Sequence, residues 1–556
     1  MAHRNTSVDL ETASKFSEKE DVFVSVAPAP MGSDRSKSAT TRGLKSRHIQ
    51  LISIGGVIGT GLFIGSGKAL VMAGPLSCLL AYIIFCVIVW CVAQAAGELA
   101  TLLPITGSFI TWSHRFIDPA AGVACGWNYA YACIAFACAD ISAVTGLFQY
   151  WLPDSSPAIW VSYCLVVFFI LNAFAVRLYG EAEFYFASGK VILIIGFIIF
   201  TFIAMLGGNP AHDRFGFRYW KDPGPMAEYL VDGTLGRFLG FWGVFRVAAF
   251  SIGGPEFVAM CSAEAERPRV TIPKAIRRVF WRLAAFYVLG ILCVGILVAS
   301  NDEDLLNGIA TGTGVGASPF VIGMQHLGIK VLPHIINAVI ITSATSCGNS
   351  FVYVATRSVH SLAVNGQAPK VLSYTTKRGV PLFSLLFVLA ICCLSYMTVN
   401  SGAAVVFGWF LDLSSVAALI NFSWMCLAWI RFDKGMRAQG LSREILPFKG
   451  KLMPYAAWTG LVWCVLLTVT NGFAVFIKID GNFDIQSFFT AYFGVILTAV
   501  IYFGWKLFKR GDQGFRKPAE MDLLGGSEEA DEDEKWWQEN YVPPTTRWGK
   551  FVDWLL

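Results

Sequence analysis

The amino-acid sequence predicts an all-α protein that crosses a membrane about twelve times. The chain has 556 residues, of which 55% are hydrophobic and only 15% are charged, and its mean hydropathy is +0.57. Soluble domains are roughly 45–50% apolar and about one-quarter charged. This composition therefore excludes a soluble globular protein. The formal net charge of +5 is too small to argue for a nucleic-acid partner.

Apolar segments long enough to cross a bilayer, which takes roughly 20 residues of helix, occur throughout the chain. Two polar tails, 1–46 and 511–556, flank this membrane region at 47–510, and both tails are expected to be disordered. We number the segments as spans 1 to 12 and place them near residues 49–68, 76–100, 121–150, 157–176, 186–206, 238–262, 280–300, 331–362, 381–399, 404–430, 453–477 and 486–507.

Lysine and arginine in the loops predict the orientation. Basic residues cluster before span 1 and after spans 6, 8 and 10, whereas most of the alternate loops are poor in them. Positively charged loops remain in the cytoplasm, so both termini are predicted to be cytoplasmic. The loop at 207–237 is an exception, because it carries four basic residues, although four acids offset them.

Spans 1 and 6 contain residues that interrupt a helix. Span 1 reads GGVIGTG from Gly55, and span 6 reads SIGGPE from Ser251. Glycine weakens a helix, and proline removes a backbone donor and clashes with the preceding turn. Two interrupted segments five spans apart indicate an inverted repeat whose broken helices meet near the membrane midplane. Close helix packing through the glycines is the alternative explanation.

Several motifs, in this order, resemble the fungal amino acid permeases of the amino acid–polyamine–organocation superfamily. They include GGVIGTGLFIGSGKAL, GELAT, GWNYA, GEAEFYFASGKV and AEAERPRVTIPKAIRRVFWRLAAFY. The resemblance covers nearly all of the membrane region. It implies a five-plus-five inverted repeat at about 49–206 and 238–430, two further helices at about 453–507, and uptake of amino acids together with protons.

The resemblance also implies a substrate site at the two breaks. An amino acid that leaves water needs donors for its carboxylate and acceptors for its ammonium group. The start of a half-helix attracts anions, so Thr60 and Gly61 are expected to hold the carboxylate. The carbonyl groups of Val57, Phe250 and Gly253 are expected to hold the ammonium group.

Phe250 and Ser251 each have a second interpretation. Phe250 occupies the aromatic position that covers the substrate in relatives, or it is an ordinary packed core residue. Ser251 bonds either the substrate or its own backbone, and local bonding is favoured.

Arg246 is the most distinctive residue of span 6. It lies four residues before Phe250, so both side chains share one face of a helix. Arginine within a span is costly and usually functional, and its planar group suits a carboxylate. We therefore predict that Arg246 binds the side-chain carboxylate of aspartate or glutamate, as in a dicarboxylic amino acid permease. Pairing with Asp140 or Glu256, or extension to the membrane surface, is the alternative.

Proton coupling requires a group whose charge changes during transport, and no metal or other cofactor is predicted. Lys190 in span 5 stands where sodium-coupled relatives bind a cation, which makes it one candidate, and a lysine that reaches water is the alternative. Glu256 is expected to relay protons or to cap the second half of span 6. Asp140 in span 3 is expected to take part in coupling or to neutralise Arg246.

The sequence therefore predicts a proton-coupled amino acid symporter of the plasma membrane, with acidic amino acids as substrates. A permease for neutral or many amino acids, and a nutrient sensor on the same fold, are the alternatives. An enzyme is not expected, because the seven histidines form neither HxxxH nor HExxH. The predicted partners are the substrate, the lipid bilayer, and ubiquitin ligase adaptors that would act on Lys15 and Lys19.

Overall fold

The helices of a computed structural model follow the predicted spans closely. The structure describes residues 56, 58–174, 176–311, 318–376, 379–477, 483–509 and 514–540; Val57, Lys15 and Lys19 lie outside them. Within these ranges the protein is helical and contains no β-strand. The helices are Gly61–Leu102 for spans 1 and 2, Pro119–Phe148, Pro157–Phe174 and Val176–Met205 for spans 3 to 5, Gly233–Ser251 and Pro255–Met260 for span 6, Pro268–Leu297, Leu332–Val364, Leu382–Ser401, Ala403–Ala438, Tyr455–Phe476 and Ile485–Phe508 for spans 7 to 12.

Spans 1 and 2 form one continuous element with a sharp kink. The segment Gly61–Leu102 has 42 residues, or about 63 Å of helix, which is twice the ~30 Å core of a bilayer. The kink falls at Gly74, whose φ of +75° is left-handed, directly before Pro75. The eleven long apolar helices of the described residues therefore correspond to the twelve predicted spans.

Both predicted breaks are present. In span 6 the helix ends at Ser251 and resumes at Pro255, and Gly254 between them has a φ of +127°, a conformation that glycine adopts without strain. Proline suits the first position of the new helix because its missing N–H needs no partner there. In span 1 the helix is interrupted at 58–59, and the next turn, Gly61–Gly65, is a π-helix.

The two broken spans lie inside a cage of long helices. Span 3 packs along spans 8 and 10, while span 2 packs along spans 6 and 7. Span 3 is largely buried, whereas spans 4, 5 and 12 leave most of their surface exposed, as helices facing lipid would. This arrangement holds the backbone of the breaks away from lipid, where unpaired N–H and C=O groups would be costly.

The bundle has two ends, which we name by the segments that cover them. The loop face carries residues 207–237, tied to the kink by the hydrogen bond from the Ala227 amide to the Ala73 carbonyl (2.9 Å). It also carries the short helices Glu303–Thr311 and Pro319–His326, which the sequence did not predict. The tail face carries the short helix Ser108–Phe116 and residues 514–540, joined by the hydrogen bond from the Arg516 amide to the Ile117 carbonyl (2.9 Å).

The prediction of disorder was wrong for residues 514–540, which fold against the tail face. The acidic helix Glu528–Asn540 places Glu534 3.2 Å from Arg267, Leu523 is buried, and the Gln439 amide donates to the Met521 carbonyl at 2.8 Å. The prediction rested on local composition. It did not include the arginines that neutralise this acidic segment.

Candidate functional site

A cavity lies between the two breaks and is walled by spans 3, 8 and 10. Seven of the ten predicted site residues line it, namely Thr60, Gly61, Asp140, Phe250, Ser251, Gly253 and Glu256. Arg246 and Lys190 do not line it. Much of the remaining wall is aromatic and consists of Phe136, Phe257, Phe351 and Phe422.

Thr60 and Asp140 form a buried hydrogen bond at the edge of the span 1 break. The Thr60 hydroxyl donates to Asp140 Oδ1 at 2.6 Å, and both side chains are almost inaccessible to solvent. The second carboxylate oxygen of Asp140, Oδ2, is buried without a hydrogen-bond partner among the described residues, and the Cys347 thiol lies near the carboxyl group. The hydroxyl that was predicted to bind the substrate carboxylate therefore donates to a carboxylate of the protein.

Lys190 lies behind this pair. Its side chain is 1% exposed, so the alternative in which Lys190 reaches water is wrong. Lys190 interacts electrostatically with Asp140. Lys190 and Asp140, which are both predicted coupling groups, are therefore electrostatically coupled to each other, although only Asp140 lines the cavity.

Gly61 allows spans 1 and 6 to touch. A Cβ added to Gly61 would lie 2.7 Å from both Cα and Oγ of Ser251, so no side chain fits between the two breaks. Ser251 itself bonds locally, as favoured, because its hydroxyl donates to the Val247 carbonyl at 2.8 Å. The Ser251 carbonyl accepts from the Tyr287 hydroxyl at 2.5 Å. These contacts fix the geometry of the break in span 6.

Glu256 and Phe250 lie on either side of the span 6 break. The Gly254 amide donates to Glu256 Oε2 at 3.1 Å, which is the capping geometry. Phe250 stacks on Phe136 with a centroid distance of 5.3 Å and meets Phe407 edge-on at 5.6 Å. Phe250 therefore packs in an aromatic cluster and also lines the cavity, so its two interpretations are compatible.

Arg246 pairs with an acid that the sequence analysis missed. Its Nε lies 3.2 Å from Asp412 Oδ1 and its Nη1 3.3 Å from Oδ2, and the two side chains are 16% and 13% exposed. Neither Asp140 nor Glu256, the partners considered from sequence, forms this pair. Asp412 was recognisable as an acid within the apolar run FGWFLDLSS of span 10. Lys68 in span 1 interacts electrostatically with both members of the pair.

One group of side chains on the loop face has the composition of a metal site. Atoms of Asp302, Asp304 and His326 lie within 4.8 Å of one another. Both ring nitrogens of His326 face carboxylates, at 3.3 Å from Asp302 and 2.9 Å from Asp304. The group is therefore arranged as an ion-pair cluster around one imidazole, and it does not line the cavity.

Comparison with known proteins identifies the family. Residues 48–513 match the family model described as amino acid permease. This chain belongs to the amino acid permease family. The permease is 41% identical over 544 residues to the proline-specific permease of Saccharomyces cerevisiae, which covers 96% of this chain and 86% of that protein. It is 36% identical over 511 residues to the dicarboxylic amino acid permease of the same yeast, covering 91% of this chain and 83% of that protein.

Solved structures support the same fold. The permease resembles a manganese transporter of Eremococcus coleocola with a TM-score of 0.53 and 12% identity, covering 85% of this chain and 99% of that one. The predictions of a polytopic helical transporter with an inverted repeat and of a protein that is not an enzyme are confirmed. The permease is a multi-pass membrane protein whose substrate is a small molecule, namely an amino acid.

Proposed function

We propose that this permease imports small neutral amino acids of the proline type together with protons, across the plasma membrane and with both termini in the cytoplasm. The observation that carries this proposal is the Thr60–Asp140 hydrogen bond at the edge of the cavity. The names of relatives add support, since the proline-specific permease of Emericella nidulans and a protein of Schizosaccharomyces pombe named as a probable proline-specific permease are 41% and 42% identical to this chain.

The charges of the cavity favour a neutral substrate. Among the described residues that line it, the ionisable acids are Asp140 and Glu256, and no lysine or arginine is present. The ammonium group of a substrate balances its α-carboxylate, so a side-chain carboxylate would be a third unbalanced acid beside Asp140 and Glu256. No described lysine or arginine lines the cavity to balance it, which is unfavourable. The aromatic wall instead suits an apolar side chain. The alternative of a neutral-amino-acid permease therefore fits better than the acidic substrate predicted from Arg246.

The position of Arg246 supports the same choice. Its guanidinium already donates a hydrogen bond from Nη1 to Asp412 Oδ2 at 3.3 Å, and its Nε lies 3.2 Å from Oδ1, so its charge is balanced by a carboxylate of the protein. A substrate side chain would have to displace Asp412 from it and reach past Phe250. The similarity to the dicarboxylic amino acid permease gives some support to aspartate and glutamate as substrates. The uptake experiment described below therefore includes both amino acids.

Protonation of Asp140 would couple the proton to the substrate. While Asp140 is ionised, it can only accept, so the Thr60 proton is committed to it. Once protonated, Asp140 can donate to Thr60 Oγ1, and the Thr60 hydroxyl becomes free to donate to the substrate carboxylate. The substrate and the proton would then bind together, and Lys190 would balance the charge of Asp140 after the proton leaves.

The substrate itself would lie across the two breaks. Its carboxylate would lie at the start of the helix at Gly61, where N–H groups and the helix dipole favour an anion. Its ammonium group would meet the carbonyl groups of Phe250 and Gly253, since the Ser251 carbonyl already accepts from Tyr287. Phe250 would cover the side chain.

Uptake in cells that lack their own permeases tests the proposal. Radiolabelled proline, alanine, aspartate and glutamate are supplied separately, with and without sodium, and with and without a protonophore. Proline or alanine is expected to accumulate without sodium and to stop accumulating when the protonophore collapses the proton gradient. A sodium requirement would refute the coupling, and preferential uptake of aspartate and glutamate would support the prediction from Arg246 instead.

A further inference from the structure

A second polar cluster lies on the loop-face side of Phe250, outside the cavity. Arg246 is four residues nearer the loop face than Phe250, or about 6 Å along the helix. Its partner Asp412 comes from span 10, and the Tyr229 hydroxyl of the 207–237 segment lies beside the guanidinium. The cluster thus lies between the loop face and the aromatic residue that covers the cavity.

Lys68 adds a second cation from span 1. A Cβ on Gly408 would lie 3.0 Å from Lys68 Nζ, so the ammonium group occupies space that this glycine leaves open. Gly408 precedes Asp412 by one helical turn and shares its face of span 10. Lys68 is half-buried and interacts electrostatically with Arg246 and Asp412.

The cluster contains more positive than negative charge. Lys68 and Arg246 are both cations, while Asp412 is one carboxylate, and its two oxygens contact Arg246. Among the described residues Lys68 has no ion pair of contact distance of its own. Two partly buried cations that share one carboxylate favour a further anion beside them. An α-amino acid brings such an anion in its carboxylate.

We propose that Lys68, Arg246 and Asp412 form a loading site for the carboxylate of the incoming amino acid. The inference rests on the proposed import function and adds a first stop to it. The carboxylate binds Lys68 and then competes with Asp412 for Arg246. The Arg246–Asp412 pair joins spans 6 and 10 on the loop-face side of Phe250. When the substrate carboxylate replaces Asp412 as the partner of Arg246, this contact between the two spans is lost and the path to the cavity opens.

Kinetics of proline uptake by the full-length protein in cells test the loading site. Lys68→Gln is expected to raise the KM roughly tenfold while leaving the maximal rate per surface molecule unchanged, and Lys68→Arg is expected to restore the KM. Asp412→Asn is expected to lower the KM, because the competitor of the carboxylate is gone. Lys221→Gln, which removes an exposed lysine of the same face, is the control and should behave as wild type.

Opposite shifts of the KM in the Lys68 and Asp412 variants separate a loading site from a structural role, which would lower the maximal rate or the surface amount in both. A Lys68→Gln protein with the KM of the control would overturn the loading site. The import function is tested separately, by proton-driven uptake in the wild-type protein, and would not be affected by that result. A further experiment measures proline uptake by the wild-type protein after chloride in the medium is replaced with methanesulfonate. A wild-type protein that needs chloride for uptake would assign the cluster to a halide and contradict the proposal.

Discussion

Replacing Gly61 with alanine is expected to weaken substrate binding without preventing membrane insertion. The added Cβ would lie 2.7 Å from Cα and Oγ of Ser251, whereas carbon atoms pack at about 3.5–4.0 Å. Spans 1 and 6 would have to separate by roughly 1 Å, and no side-chain rotation relieves a contact with backbone. Overpacking of this kind costs about 1–3 kcal/mol, so the affinity is expected to fall roughly tenfold to a hundredfold.

The loss of affinity is measured by equilibrium binding of radiolabelled proline to purified protein in lipid nanodiscs. Gly196→Ala in span 5 is a matched control, since a Cβ there has no atom within 4 Å, and it should bind as wild type. Wild-type affinity in Gly61→Ala would refute the contact between the two breaks as the reason for this glycine.

Three further predictions concern other contacts. Glu98 is fully buried, accepts from the Trp429 indole at 2.8 Å and forms an ion pair with the partly exposed Arg443, so Glu98→Gln is expected to cost about 1–3 kcal/mol, measured as a lower Tm in detergent. Lys190→Ala is expected to abolish proton-driven accumulation but to leave exchange of internal for external substrate, which counterflow measures; unchanged accumulation would contradict its role. Arg267→Glu is expected to release the C-terminal acidic helix and speed its cleavage by protease, and adding Glu534→Arg should reverse this effect.

The positions of the breaks were predictable because their causes are local. Gly254 and Pro255 interrupt a helix wherever they occur in one, and the positive φ of Gly254 is a property that glycine supplies. Hydropathy likewise located the spans, since a helix in lipid must be apolar along its length. The kink at Gly74 joined two predicted spans into one element without moving either.

The partners of the charged residues were not predictable in the same way. Arg246 and Asp412 are separated by 166 positions, and sequence periodicity places a residue on a helix face but not opposite a given neighbour. The counter-charges predicted for Arg246 were therefore Asp140 and Glu256, and Asp412 was missed. The folding of residues 514–540 was missed for the same reason, because the arginines that hold this segment lie on other parts of the chain.

Substrate binding as a function of pH tests the central claim, that protonation of Asp140 frees Thr60 to bind the substrate. Wild-type affinity for proline is expected to fall as the pH rises once Asp140 ionises, by up to roughly tenfold per pH unit. Asp140→Asn presents a permanent donor to Thr60, so its affinity should not depend on pH, while Glu256→Gln should keep the wild-type dependence. An Asp140→Asn protein whose affinity follows pH as wild type does would contradict the account.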